Sequence, residues 1–251
     1  MPSSRPSVIV VAHGSRISDT AQEAAVRHAA TLVHSNLYEL VDVCFLSRDK
    51  SRPLLPEGKV FLLPFFMSNG YFVRNRIPEL FELEKGQRIE SRHQLYLCDP
   101  LGTDPELADV IITMAQEICR DHNYTPKKVQ LLLVAHGSET SSASAEATCL
   151  QQQAVTGRDE FAGVSVAFLS QAPRLDEVLS ACLDDGSALI VVGLFAADGP
   201  HAIEDVPGSI AKWQQQSMST MAVHYAGAVG SRPEIANLIQ RSIARCAAKV
   251  G

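Results

Sequence analysis

Val129-Gln-Leu-Leu-Leu-Val-Ala-His-Gly-Ser138 is an unbroken apolar run that stops abruptly at a histidine, a glycine and a serine. The same ending closes Val8-Ile-Val-Val-Ala-His-Gly-Ser15, at an offset of 123 residues. Runs of this length, β-branched or leucine-rich and closed by glycine, read as strands covered on both faces, the kind found in parallel α/β sheets. His13 and His136 are thereby expected at carboxyl ends of strands, where ligands bind in open α/β sheets. A histidine there can also do no more than satisfy backbone groups of the strand-to-helix turn, and one copy alone does not separate the two roles.

The repeat extends outward from this motif. Val41-Asp-Val-Cys-Phe-Leu-Ser47 lies over Val164-Ser-Val-Ala-Phe-Leu-Ser170 at the same offset, as a pair of second strands. Phe61 to Pro78 aligns without a gap on Ile190 to Pro207, which matches Gly70 with Gly199 and Pro78 with Pro207. His93 to Ile111 lies over Met221 to Ile239 and matches Gly102 with Gly230, Pro105 with Pro233 and Glu106 with Glu234. Within each copy strands alternate with helices. Thr20-Ala-Gln-Glu23 reads as a capping box opening a helix to about Ser35, and proline in a helical first turn marks Pro105–His122 and Pro233–Val250. The sequence therefore predicts an α/β protein of two similar Rossmann-like lobes with mainly parallel sheets, one spanning residues 1–124 and the other 125–251. The polar join Asp121-His-Asn-Tyr-Thr-Pro-Lys-Lys128 is short.

With 251 residues, 46% of them hydrophobic and 20% charged, the chain can bury a substantial core. A net charge of -6 and the lack of a basic block with interleaved aromatics argue against nucleic acid as a partner. The apolar runs are much shorter than a membrane span, and Met-Pro-Ser-Ser-Arg-Pro-Ser lacks the apolar core of a signal peptide, so no membrane partner and a cytoplasmic location are expected. The six cysteines are scattered singly, without a C-x-x-C pair. There is neither G-x-G-x-x-G nor a P-loop, so no nucleotide or redox cofactor is expected.

The second copy offers a further histidine, His201, in Asp198-Gly-Pro-His-Ala-Ile-Glu-Asp-Val-Pro207, after the third apolar strand. Ends of neighbouring parallel strands lie side by side, so His136 and His201 can face one cleft and offer imidazole nitrogens to a divalent metal, with Glu139, Glu204 or Asp205 nearby. Two histidines 65 residues apart are a weak metal signal, and the residues alone favour ordinary loop histidines with solvated acids. His28, His34, His93, His122 and His224 read as surface or helix residues.

The Ala-His-Gly-Ser strand end, the Gly-x-His-x-x-x-Asp-Val-Pro loop at Gly199–Pro207 and the Gly-x-x-Pro-Glu opening of the last helix together resemble the sirohydrochlorin chelatase family. These class II chelatases are similar in fold to the protoporphyrin ferrochelatases. The resemblance covers nearly the full length, as two fused copies of the small family unit, and a monomer is expected on that account. It implies ATP-independent insertion of Co²⁺ or Fe²⁺ into sirohydrochlorin or a related tetrapyrrole in cobalamin or sirohaem biosynthesis, with no cofactor beyond the metal substrate. It also implies two lobes that face each other across a cleft. The family's two metal-binding histidines carry over onto His136 and His201, with Glu204 and Asp205 as acids beside them. His13, Ser15, Arg16, Phe72, Arg74, Ser138 and Gly199 are the expected substrate contacts.

Insertion requires two pyrrolic protons to leave while the cation passes to the macrocycle. Imidazole holds a metal loosely and accepts protons near neutral pH, and a nearby carboxylate lowers the cost of bringing in a dication. Two departures matter. Phe72 stands where the first copy would have its second histidine, and Ser47 and Ser170 stand where family members commonly carry glutamate. The second departure keeps open a non-catalytic protein that carries metal or tetrapyrrole. Between the copies, Arg16 aligns with Glu139, Arg48 with Gln171, Arg74 with Ile203 and Arg76 with Asp205. Arginine grips carboxylates through paired hydrogen bonds, so the first copy is expected to hold the tetrapyrrole's carboxylates and the second the metal; solvated surface arginines are the alternative.

Overall fold

Every residue of Ser7–Ala12 is buried, and so is every residue of Ala188–Gly193, as the apolar runs Val8–Ala12 and Ala188–Gly193 require of strands with both faces covered. The computed structural model describes residues 5–14, 20–47, 53–181, 187–217 and 219–250; Ser15, Arg16 and Arg48 lie outside them. The first repeat runs β1 (Ser7–Ala12), α1 (Thr20–His34), β2 (Val41–Phe45), β3 (Gly58–Pro64), a π-helical turn (Phe72–Arg76), α2 (Ile77–Phe81), β4 (Gln87–Ile89), β5 (His93–Leu97) and α3 (Leu107–Asp121). The second runs β6 (Val129–Ala135), α4 (Ala143–Thr156), β7 (Gly163–Phe168), α5 (Leu175–Ala181) and β8 (Ala188–Gly193). It ends with a π-helical turn (His201–Asp205), α6 (Val206–Gln216), β9 (Val223–Ala228) and α7 (Ile235–Val250).

The strands form two sheets, ordered β2-β1-β3-β5-β4 and β7-β6-β8-β9. All pairings are parallel except that of β4 with β5. The repeat holds down to the register. Val8 pairs with Val41 and Phe61, and the aligned Leu131 pairs with Val164 and Ile190. Phe61 in turn pairs with Tyr96, and Ile190 with His224. Among the described residues no helix is long and apolar enough to cross a membrane.

The compact units differ from the expected division at 124/125. One comprises Met1–Asp104 with Pro233–Gly251, and the other Pro105–Arg232. The reason lies in the last helix of each repeat. α3 buries Leu107, Val110, Ile111 and Met114 in the second unit, where it packs on β8, β9 and α4. α7 buries Ile235, Leu238, Ile239 and Ile243 in the first unit, where it packs on β3 and α1. Each buried aliphatic side chain contributes roughly 2 kcal/mol, so the apolar stripe determines which sheet a helix covers. Ion pairs fix the helix ends within each unit: Arg232 with Glu117 at 2.7 Å, Lys249 with Asp99 at 3.1 Å, and Arg245 with the buried Asp104.

The glycines opening these connections have a steric reason. Gly102 donates its N–H to Phe66 O and Gly230 donates to Phe195 O, both at 2.9 Å. A Cβ on Gly102 would lie 2.0 Å from the carbonyl oxygen of Met67, and one on Gly230 would lie 2.2 Å from that of Ala196. Only glycine lets the chain approach the loop after the third strand so closely. Gly230→Ala is therefore expected to destabilise the protein by ~3 kcal/mol, measured by urea denaturation. Replacement of the exposed Lys212 by alanine serves as the neutral comparison.

Candidate metal centre

His136 is the first polar residue beyond the buried strand β6, and its ring emerges at the carboxyl edge of the sheet because the strand's apolar run ends there. Gly137 follows with φ +79°, the left-handed conformation that turns the chain toward α4. The His136 Nδ1 lies 3.0 Å from the Gly137 carbonyl oxygen and 3.3 Å from Ser170 Oγ. A carbonyl only accepts, so Nδ1 carries the proton and the lone pair belongs to Nε2. Ser170 donates its hydroxyl to the His136 carbonyl at 2.7 Å, and its own N–H bonds the same oxygen at 2.9 Å. The Ser138 N–H is held by Gln171 Oε1 at 2.6 Å.

His201 comes from the loop after β8. The Gly199 carbonyl accepts the N–H groups of Ala202 and Ile203 and starts the turn, which the Val206 N–H closes onto His201 O, five residues back. Pro207 has no N–H with which to close a regular helical bond onto Ile203, and the wider π turn precedes it. This turn brings Asp205 beside the ring, with Oδ2 2.6 Å from His201 Nδ1. The acceptor again fixes the proton on Nδ1 and frees Nε2. The two rings meet with centroids 4.5 Å apart and planes inclined by 71°. Phe195 lies 6.4 Å from His201.

Unit 1 contains the same construction without its second imidazole. His13 Nδ1 bonds the Gly14 carbonyl at 2.7 Å, and Gly14 has φ +73°. Phe72 opens a π turn closed by the Ile77 N–H and meets His13 edge-on at 4.7 Å. Phe66, aligned with Phe195, stacks on Phe72. A pair of imidazoles in one unit is thus a histidine and a phenyl ring in the other.

The structure brings His136, His201 and Asp205 together. Glu139 and Glu204 are exposed and make no side-chain hydrogen bond or ion pair among the described residues. Ser138 and Gly199 flank the two histidines in their loops. Arg74 is exposed and its guanidinium is unpaired among the described residues, whereas Arg76 is tied to Glu79 at 2.9 Å. The expected contacts Ser15 and Arg16 lie outside the described residues. Among those residues no group of three or more His, Cys, Asp or Glu side chains is arranged to hold a metal. The sequence singles out Ser170 and Gln171 as aligned positions without showing their hydrogen bonds to the His136 loop, and it does not single out Phe195, for which the alignment with Phe66 is the available signal. Also missed was the convergence of His122 and His224, with ring centroids 4.0 Å apart. Burial, and then the neighbouring His122, hold the His224 imidazole below the ordinary histidine range.

The family model described as CbiX matches residues 7–118 and again 130–246. The chain belongs to the CbiX family. Its two matched segments are the two repeats read from the sequence. A probable sirohydrochlorin cobaltochelatase of Halobacterium salinarum is 25% identical over 97% of this chain and 92% of its own length. The sirohydrochlorin cobaltochelatase of Saccharolobus solfataricus is 29% identical over 44% of this chain and 93% of its own length, and so spans about one repeat. SirB of Bacillus subtilis, solved with Fe³⁺, shares the CbiX-type fold with a TM-score of 0.77 at 16% identity, over 98% of this chain and 97% of that one.

Asp205→Asn offers His201 an amide in place of the carboxylate and loosens control of the tautomer. It is expected to weaken Co²⁺ binding about 10- to 100-fold, measured by equilibrium dialysis.

Proposed function

We propose that this protein inserts Co²⁺ or Fe²⁺ into sirohydrochlorin, or a closely related carboxylated tetrapyrrole, without ATP, acting as a monomer in the cytoplasm. The observation that carries this reading is the His136–His201 pair, 4.5 Å apart with each Nδ1 committed to an acceptor, in a chain of the CbiX family. The names of its relatives in Halobacterium and Saccharolobus agree with this activity.

In the reaction the divalent metal is a substrate. It exchanges with the two pyrrolic N–H protons, so charge balances when two protons leave for each cation inserted. The two Nε2 atoms hold the incoming cation. Two neutral donors bind it weakly enough for four macrocycle nitrogens to take it, and each imidazole, once relieved of metal, can accept a departing proton. Asp205 keeps His201 oriented and adds negative charge beside the dication. Arg74, with Arg16, is assigned to the carboxylates at the macrocycle's edge, and Phe72 to its ring face.

A second reading, carriage of metal or tetrapyrrole without insertion, is favoured by Ser170. It occupies the position where family members commonly have glutamate, and it donates its hydroxyl to the His136 carbonyl. Purified protein mixed with sirohydrochlorin and Co²⁺ or Fe²⁺ discriminates the two. Multiple turnovers in the tetrapyrrole absorbance mean insertion, and spectral change without turnover means carriage.

His201→Ala is expected to abolish turnover, and full activity in the His136→Ala, His201→Ala double variant would refute the assignment. Arg74→Ala is expected to raise the KM for tetrapyrrole about tenfold, or ~1.4 kcal/mol, with metal affinity unchanged.

A further inference from the structure

A second group of metal-ligating side chains stands at the other end of unit 2's sheet. His122 caps the carboxyl end of α3, and His224 is the second residue of β9. Their ring planes are inclined by 40° at the 4.0 Å centroid separation. Asn123, at φ +56°, reverses the chain after α3, and the Tyr124 N–H returns to Cys119 O at 2.8 Å. That reversal stacks the Tyr124 ring on His122 at 5.6 Å and sets its hydroxyl 3.0 Å from His224 Nε2. Tyr124 and Asn123 also line a cavity of about 420 Å³ with Thr125, Lys128 and Met221.

The group is separate from the first pair. His224 begins a strand, whereas His136 and His201 follow the ends of strands parallel to it. A six-residue strand rises about 20 Å, so no single ion reaches both groups.

We propose that His122 and His224 form a second site for a divalent first-row transition cation of the Co²⁺ and Fe²⁺ class, with Tyr124 as the residue that positions His224. Imidazole suits these ions. The Tyr124 hydroxyl can accept from Nε2–H, which leaves the lone pair of His224 on Nδ1 for the ion; unlike the acceptors at His136 and His201 it can also donate, so it orients the His224 ring without dictating the tautomer. His122 is exposed and makes no side-chain hydrogen bond among the described residues, so either nitrogen is free to turn to the ion. The carboxyl end of the 15-residue helix α3 adds its partial negative charge at His122. Two imidazoles on one metal at about 2.1 Å place their ring centres about 5 Å apart, which asks only a small opening of the present contact. Water completes the coordination. The site gives the protein a place to hold a cation remote from the reacting pair.

The test is a Co²⁺ titration of the full chain carrying His136→Ala and His201→Ala, followed by equilibrium dialysis and the visible spectrum of the bound metal. It does not depend on insertion activity. One equivalent of Co²⁺ is expected to remain, with a nitrogen-ligated spectrum, and to be lost when His224→Gln or His122→Ala is added. Tyr124→Phe is expected to weaken it several-fold. Far-ultraviolet circular dichroism of each variant establishes that it is folded, and the exposed His122 provides a substitution that leaves the core untouched. No Co²⁺ bound to the His136→Ala, His201→Ala protein, or binding that survives both His122→Ala and His224→Gln, would overturn the proposal and leave the three rings as an aromatic stack.

Discussion

A hydrogen bond to one imidazole nitrogen fixes the tautomer and the ring, and so fixes which nitrogen is offered to a metal; the candidate site depends on that constraint. Both rings meet it by local means. His136 uses the carbonyl of the glycine that follows it, so the strand end carries its own orienting group. His201 uses Asp205, brought round by a π turn. The left-handed glycine and the proline after the acid are therefore requirements of the site as much as of the chain path.

Much of this was legible in the sequence because duplication supplies an internal comparison. The two Val-Ala-His-Gly-Ser endings placed both strand-end histidines, and the paired loops located His201 and its replacement Phe72. Gly102 and Gly230 stood out as matched positions, although their steric cause needs the backbone of Met67 and Ala196. Other features lie beyond a pattern read along one chain. Of Glu139, Glu204 and Asp205, only Asp205 reaches an imidazole, and that choice depends on turn width. The assignment of α3 and α7 is equally hidden, since an amphipathic stripe reveals that a helix is covered but not by which sheet. His122 and His224, joined by chain reversal at Asn123 and the start of β9, carried no sequence signal at all.

The exchange of terminal helices bears on how the copies diverged. Each compact unit contains the helix that ends the other repeat: Pro105–Arg232 takes in α3 and stays a continuous stretch, whereas Met1–Asp104 is completed by the distant Pro233–Gly251. The cores remain constrained in both copies while the loop after the third strand is free to change. Substitution follows that line. The partners of Val8 and Leu131 keep their register, whereas the positions of Phe72, Arg74 and Arg76 hold His201, Ile203 and Asp205 in the other copy. Loss of one imidazole pair leaves the ring contact intact, because Phe72 fills against His13 the space that His201 fills against His136.

Ser170 is best understood from the charge at the site. Its N–H is bonded to the His136 carbonyl, as that of Ser47 is to the His13 carbonyl, so the backbone delivers this position to the histidine in both units. A longer acidic side chain from the same position would put a second negative charge beside the metal pair. With serine there, a dication in the proposed site meets two imidazoles and, among the described residues, the carboxylate that Asp205 sets against His201. Such a site binds less tightly, and a donor whose task is to release its metal loses more from holding too strongly than from holding weakly, because the barrier to transfer includes the cost of leaving the protein. The same weakness makes a separate reserve of cation useful, and a second imidazole pair at the opposite end of the sheet has the ligand chemistry to provide one.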